Sequence, residues 1–132
     1  MTCVRGIRGA IRIDENTADC ILRSTRELLL SMTEANDVVP EDIASVFFTT
    51  TADLNAEFPA YATRDLNWKM VPLLCASELS VPEGMTRLIR ILMHVNTDRS
   101  QAQIKHQYLG ETCRLRPDLC EGGNDDDSRD ES

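Results

Sequence analysis

Hydrophobic and polar positions alternate along residues 86–95, TRLIRILMHV. Ile89, Ile91, Met93 and Val95 fall on one side of an extended chain, and Leu88, Arg90, Leu92 and His94 on the other. The first side reads as core. The same period of two runs through CVRGIRGAIRID (3–14), with Ile7, Ile11 and Ile13 on one face and Arg8, Ala10 and Arg12 on the other, which predicts a strand with one wet face. In NTADCILRSTRELLLSMTEAN (16–36) the period becomes helical: Ile21, Leu22, Thr25, Leu28, Leu29, Met32 and Ala35 share a stripe, behind Asn16 or Thr17 as N-cap and Asp19 in the first turn.

Shorter elements follow. Pro40 and the EDIA after it predict a helical turn leading into a β-branched and aromatic strand, SVFFTTT. FPAYATRDL predicts a second turn started by Pro59. KMVPLLCASEL predicts a short strand in which Pro72 removes a ladder donor, so it lies at an edge or ends there. After Pro82 and Gly84 come the long strand, a capped turn in NTDRSQAQIKH, a short strand in HQYL and a last turn in ETCRLRPDL. Five strands, one long helix and several turns, with no repeat or linker, predict one α+β domain over residues 1–120, a mixed sheet packed on the long helix. Residues 121–132, EGGNDDDSRDES, lack apolar side chains and predict a disordered acidic tail.

Arg90 is the fault in this pattern. Burying a cation among leucines without a partner costs several kcal/mol, so its face either opens to water or meets an anion. Arg8 poses the same question, as do Arg64, Arg114 and Arg116 near other segment ends. The basic residues are 12 Arg and 2 Lys, and arginine presents a planar fork that matches a carboxylate. Two readings stand side by side: a pocket for a small polyanion, or structural ion pairs of Arg8 and Arg90 with Glu78 or an aspartate.

Composition narrows the partners. The net charge is −8, of which the last twelve residues hold −5, leaving −3 on the rest. That balance argues against nucleic acid or an anionic membrane as partner. Five widely spaced cysteines without a C-x-x-C pair, arginines where a secretory signal needs an apolar stretch, and no apolar run near the roughly 18 residues of a membrane span predict a cytoplasmic chain with free thiols. With His94 and His106 as the only histidines, and no nucleophile elbow, phosphate loop or zinc motif, acid/base and covalent chemistry have few candidates. His94 reads as a satisfied strand histidine, His106 as a structural hydrogen-bonder near Tyr108, and Cys75 lacks a base.

VRGIRGAI, TRELLL, FTTTADLNAEFPA, VPLLCASE, IRILMHVNTD, QIKHQYL and LRPDL resemble, in order and spacing from about residue 4 to 119, the monofunctional trimeric chorismate mutases of the pseudo-α/β-barrel type. That resemblance implies an isomerase that rearranges chorismate to prephenate on the shikimate route to phenylalanine and tyrosine, with no metal, cofactor or covalent intermediate. It also implies a homotrimer with sites between subunits. The residues it implies are Arg90 on the breaking ether bond and on a carboxylate, Arg8 and Tyr108 on a carboxylate, and Cys75 and Glu78 on the substrate hydroxyl. Phe58, Leu73 and Leu74 would wall the cavity, and Arg64, Leu115 and Arg116 would lie where the site closes.

Two positions depart from the family pattern. Tyr61 stands where a lysine is familiar, removing a rim charge, and Leu74 stands where a threonine is familiar. Two other functions remain beside the leading one: a non-catalytic trimeric metabolite-binding protein on the same fold, which the set Arg8, Cys75, Glu78, Arg90 and Tyr108 disfavours, and imine hydrolysis on the same trimeric architecture, which the motif order disfavours.

Overall fold

The computed structural model describes residues 2–114, so Leu115, Arg116 and the acidic tail lie outside the described residues. Five strands form one mixed sheet: β1 (Cys3–Arg12), β2 (Ile43–Thr50), β3 (Leu73–Ser77), β4 (Leu88–Thr97) and β5 (Gln107–Tyr108), in the order β3-β2-β4-β1-β5. β4 runs antiparallel to both β1 and β2, while β3 and β5 flank them in parallel. The expected α+β class is therefore what the chain adopts, and β3 is an edge strand, beginning directly after Pro72.

The helix α1 (Ala18–Ala35) opens at Thr17, whose hydroxyl accepts from the Cys20 N–H, so of the two candidate caps Thr17 is used. Its buried stripe of Ile21, Thr25, Leu28, Leu29 and Met32 lies on one face of the sheet, against Ile7, Ile11, Val46, Phe48, Ile89, Ile91, Met93 and Val95. Gly9 is where helix and strand approach most closely. A Cβ there would collide with Met32 Sδ and lie 3.2 Å from Leu28 Cδ1, so any larger residue forces the Met32 side chain out of its place.

Asn36, 2% exposed, ties the end of α1 to the far side of the chain. Its side-chain amide donates to the Met32 and Lys105 carbonyls and accepts from the Lys105 N–H. The predicted turns form as 3-10 segments at Pro40–Asp42, Pro59–Leu66, Gln101–Gln103 and Gly110–Arg114, the third closed by a capping box between Ser100 and Gln103.

Candidate functional site

Strand register puts the Arg90 side chain on the face that α1 leaves open. Arg90 lies opposite Thr49 of β2 and Ala10 of β1, Thr49 opposite Ala76 of β3, and Ala10 beside Tyr108 of β5. These five residues form one row across the sheet. The adjoining row on the same face is Leu74, Phe47, Leu92 and Arg8. Arg8 and Arg90 are thus diagonal neighbours, whose Cα atoms stand about 7–8 Å apart in such a ladder.

Of the two readings left open for Arg90, the structure contains the ion pair. Nε and Nη2 of Arg90 each donate at 2.7 Å to a different oxygen of Glu78. Glu78 follows β3, where its N–H donates at 2.8 Å to the Thr50 carbonyl, and its carboxylate also accepts from the Thr49 hydroxyl. Arg90 and the Thr49 hydroxyl hold the Glu78 carboxyl below the usual carboxylate range, Arg90's hydrogen bond contributing most and burial opposing. The same hydrogen bond raises the Arg90 guanidinium above its ordinary value, against burial, with Glu78's charge and Tyr108 adding to it.

A guanidinium has five N–H donors, and this pairing uses two. The end formed by Nη1 and the second Nη2 hydrogen makes no hydrogen bond among the described residues, and the side chain is 49% exposed against 10% for Glu78. Glu78 therefore fixes the plane of the guanidinium without consuming its second fork. Arg8 is exposed and has no carboxylate partner among the described residues, while its N–H donates to His106 Nδ1 at 2.9 Å. Arg8 and Arg90 against Glu78 leave one positive charge in excess. The patch thus offers an oriented cation, a carboxylate acceptor and a second arginine on one open face, with the buried Tyr108 at its β5 end.

Other expected residues lie elsewhere. Cys75 pairs in register with Phe48, on the helix face, so its thiol points away from Arg90; Leu73 likewise faces the core and Leu74 the open side. Burial pushes the Cys75 thiol up and so disfavours the thiolate, partly offset by a backbone hydrogen bond with Ala60. The Cys75 backbone is another matter. In a parallel ladder alternate residues bond the neighbouring strand, and here Pro72 and Glu78 bond β2, which leaves the N–H and C=O of Cys75 at the outer edge.

A cavity of about 380 Å3 lies against this edge, lined by residues 54–59 and by Thr50, Cys75, Ala76 and Ser77. Phe58 is in its wall; Arg8, Glu78, Arg90 and Tyr108 are not. Asn16 anchors that wall: its Oδ1 accepts from the N–H groups of Asn55 and Ala56, both at 3.1 Å, and its Nδ2 donates to Asn55 Oδ1 at 2.8 Å. Arg64, exposed at the end of the Pro59–Leu66 turn, stacks on Tyr61. The role of Thr49 went unseen in the sequence, although its parity in FTTT relative to Arg90 was available once the two strands were paired. His94 meets the Ser45 hydroxyl through Nδ1 at 3.2 Å. Among the described residues no cluster of His, Cys, Asp and Glu is suited to a metal ion, and no helix is long and apolar enough to cross a membrane.

Comparison with known proteins matches residues 4–119 to the family model for chorismate mutase type I. The chain belongs to the chorismate mutase type I family. It is 51% identical over 117 residues to chorismate mutase AroH of Thermus thermophilus, covering 88% of this chain and 96% of that protein. Identity to chorismate mutase AroH of Bacillus subtilis (strain 168) is 44% over 117 residues, covering 88% and 92%. Among solved structures, a chorismate mutase from Clostridium thermocellum superposes with a TM-score of 0.83 at 44% identity, covering 84% of this chain and 99% of that one. The family expected from the motifs is the family found, and with it the isomerase class.

Proposed function

We propose that this chain rearranges chorismate to prephenate, in the cytoplasm, as a homotrimer whose sites are completed between subunits. The observation that carries the reading is the half-used Arg90 guanidinium: held flat by Glu78, it keeps one fork open on an exposed sheet face.

The reaction breaks an ether C–O bond while a C–C bond forms, and no proton moves. A protein assists by holding the compact conformer and by stabilising charge that builds on the ether oxygen. The open Arg90 fork is the donor for that oxygen and for an adjacent carboxylate. Because charge on the oxygen grows toward the transition state, the interaction strengthens there and lowers the barrier. Glu78 neutralises part of the Arg90 field, and its compensating contribution is orientation plus an acceptor for the substrate hydroxyl.

Arg8 and Tyr108 take a carboxylate. Cys75 contributes to the hydroxyl through its edge backbone, since its thiol faces the other way. Phe58 and Leu74 form walls, Leu73 backs them from the core side, and Arg64, Leu115 and Arg116 belong to the closing segments.

Two features support the inter-subunit arrangement. The row Leu74, Phe47 and Leu92 is 56%, 40% and 40% exposed, an apolar stripe on a sheet face that a second copy would cover. The expected site residues also divide between the Arg90 face and the cavity at the β3 edge, and pairing one copy's face with a neighbour's edge reunites them.

The test is the ultraviolet loss of chorismate with purified chain, together with sedimentation equilibrium. Consumption by a species three times 14.8 kDa is expected. A protein that leaves chorismate untouched overturns the activity, and a fully active monomer overturns the shared site.

A further inference from the structure

Neither the core nor the Arg90 patch uses the outer side of the Pro59–Leu66 segment. Three residues per 3-10 turn bring positions i, i+3 and i+6 into line, and here those positions are Phe58, Tyr61 and Arg64. The Tyr61 N–H donates to the Phe58 carbonyl at 3.1 Å, closing the turn. The rings of Phe58 and Tyr61 meet edge-on at 5.5 Å between centroids, and the Arg64 guanidinium carbon lies 4.0 Å from the centre of the Tyr61 ring. Phe58 at the other end of the stack is cavity wall.

Two further observations give the stack a purpose beyond packing. Arg64 has no ion pair among the described residues, and the acid beside it, Asp65, is taken by Arg26 at 2.8 Å. The only ionisable side chain in the cavity lining besides Cys75 is Glu57, whose carboxylate accepts from the Phe58 N–H at 2.9 Å. An exposed arginine on a free stem spreads its charge over many rotamers. A ring face confines it without neutralising it, which a carboxylate partner would do.

We propose that Tyr61 is a positioning residue whose ring holds the Arg64 guanidinium, unneutralised, at the outer end of a stack that begins at the Phe58 cavity wall, where its positive charge helps capture the dicarboxylate substrate. The inference rests on the chorismate reading above.

The experiment is steady-state chorismate consumption by the intact chain and its Y61F, Y61L, R64A and Y61L/R64A variants, at low and at molar salt, with thermal unfolding alongside. Y61F keeps the ring and its KM. Y61L and R64A raise KM by about two- to fivefold at low salt with kcat held, the double variant is no worse than R64A, and the rises shrink in molar salt. An active Y61L or R64A with unchanged KM overturns the inference, as do additive effects in the double variant, a salt-independent rise, or a rise in Y61F equal to that in Y61L. Should the parent chain itself leave chorismate untouched, the functional reading fails first, and the two failures are told apart.

Discussion

The two faces of the sheet are built from the same strands, residue by residue in alternation, yet they are organised by opposite rules. On the helix face Ile7, Phe48, Ile89, Met93 and Val95 are fully buried and held by shape, down to a glycine that lets Met32 touch the strand. On the open face Arg90, Glu78 and Thr49 are held by hydrogen bonds and charge, beside an apolar row left uncovered. Packing resists change because filled volume has nowhere to move. The open face tolerates exposure because its energy awaits something that binds there. On the proposed reading one face sets stability and the other sets rate, and substitutions separate the two.

The largest effect is expected from Arg90→Ala: kcat falls by about 10²–10³-fold or more, while the chain stays folded with a lowered melting temperature, because Glu78, only 10% exposed, loses its cation. Lysine there rescues only in part, since it keeps the charge and loses the fork. Near-normal turnover of Arg90→Ala in the ultraviolet assay would refute the electrostatic mechanism. The mirror experiment is Leu28→Ala on the helix face, which empties a fully buried position. Urea unfolding should show a loss of about 2–5 kcal/mol, with the turnover of the folded fraction preserved.

Glu78→Gln tests whether the carboxylate orients Arg90. Losing the charge and one of the two acceptor oxygens should lower kcat by about ten- to a hundredfold, and an unchanged kcat would reduce Glu78 to a bystander. The pH profile carries the same information. A carboxyl held below its unfolded value contributes stability that is complete above the unfolded pKa and is lost as pH falls through the folded one. Activity owed to the pair should accordingly persist down through the ordinary glutamate range and fade only at more acid pH, whereas the stability it contributes begins to fall within that range and is gone below the folded pKa. A loss centred at or above the ordinary value would contradict the pairing. The smallest effect belongs to Asn16→Ala, which frees the cavity wall at a cost of about 1–2 kcal/mol; Asn16→Asp keeps an oxygen that accepts from both backbone N–H groups, loses the donation to Asn55, and should recover part of it.

Much of this division was legible in the chain. Alternation in residues 86–95 assigned each side chain of β4 to its face before any partner was known, Pro72 marked β3 as lying at an edge or bounded there, and the stripe from Ile21 to Met32 marked α1. Motif order was specific enough to name the family. The ion pair stood in the sequence only as one of two alternatives for Arg90. Glu78 is twelve positions away, and β2 intervenes between β3 and β4 in the sheet, so no local rule selects it over an aspartate. Cys75 and Glu78 sit in one short motif, yet the thiol and the carboxylate diverge: β3 directs Cys75 into the helix face, and the chain leaves the strand before Glu78. The stack of Phe58, Tyr61 and Arg64 was hidden for a different reason. Its spacing of three has meaning only once the segment is 3-10, and an expectation of a mere turn carried no such period.

The sequence by itself determined which residues alternate, where the helix starts to within one residue, that the strand at Pro72 lies at an edge or ends there, and that an arginine had to be accounted for. These depend on bonding and sterics within a few residues, which the chain carries wherever it folds. Only the tertiary structure decided that Glu78 takes one edge of Arg90 and leaves the other open, that the Cys75 thiol turns away, and that an apolar row stays uncovered. Such outcomes depend on which distant strands become neighbours, and the burial of the whole chain settles that choice at once.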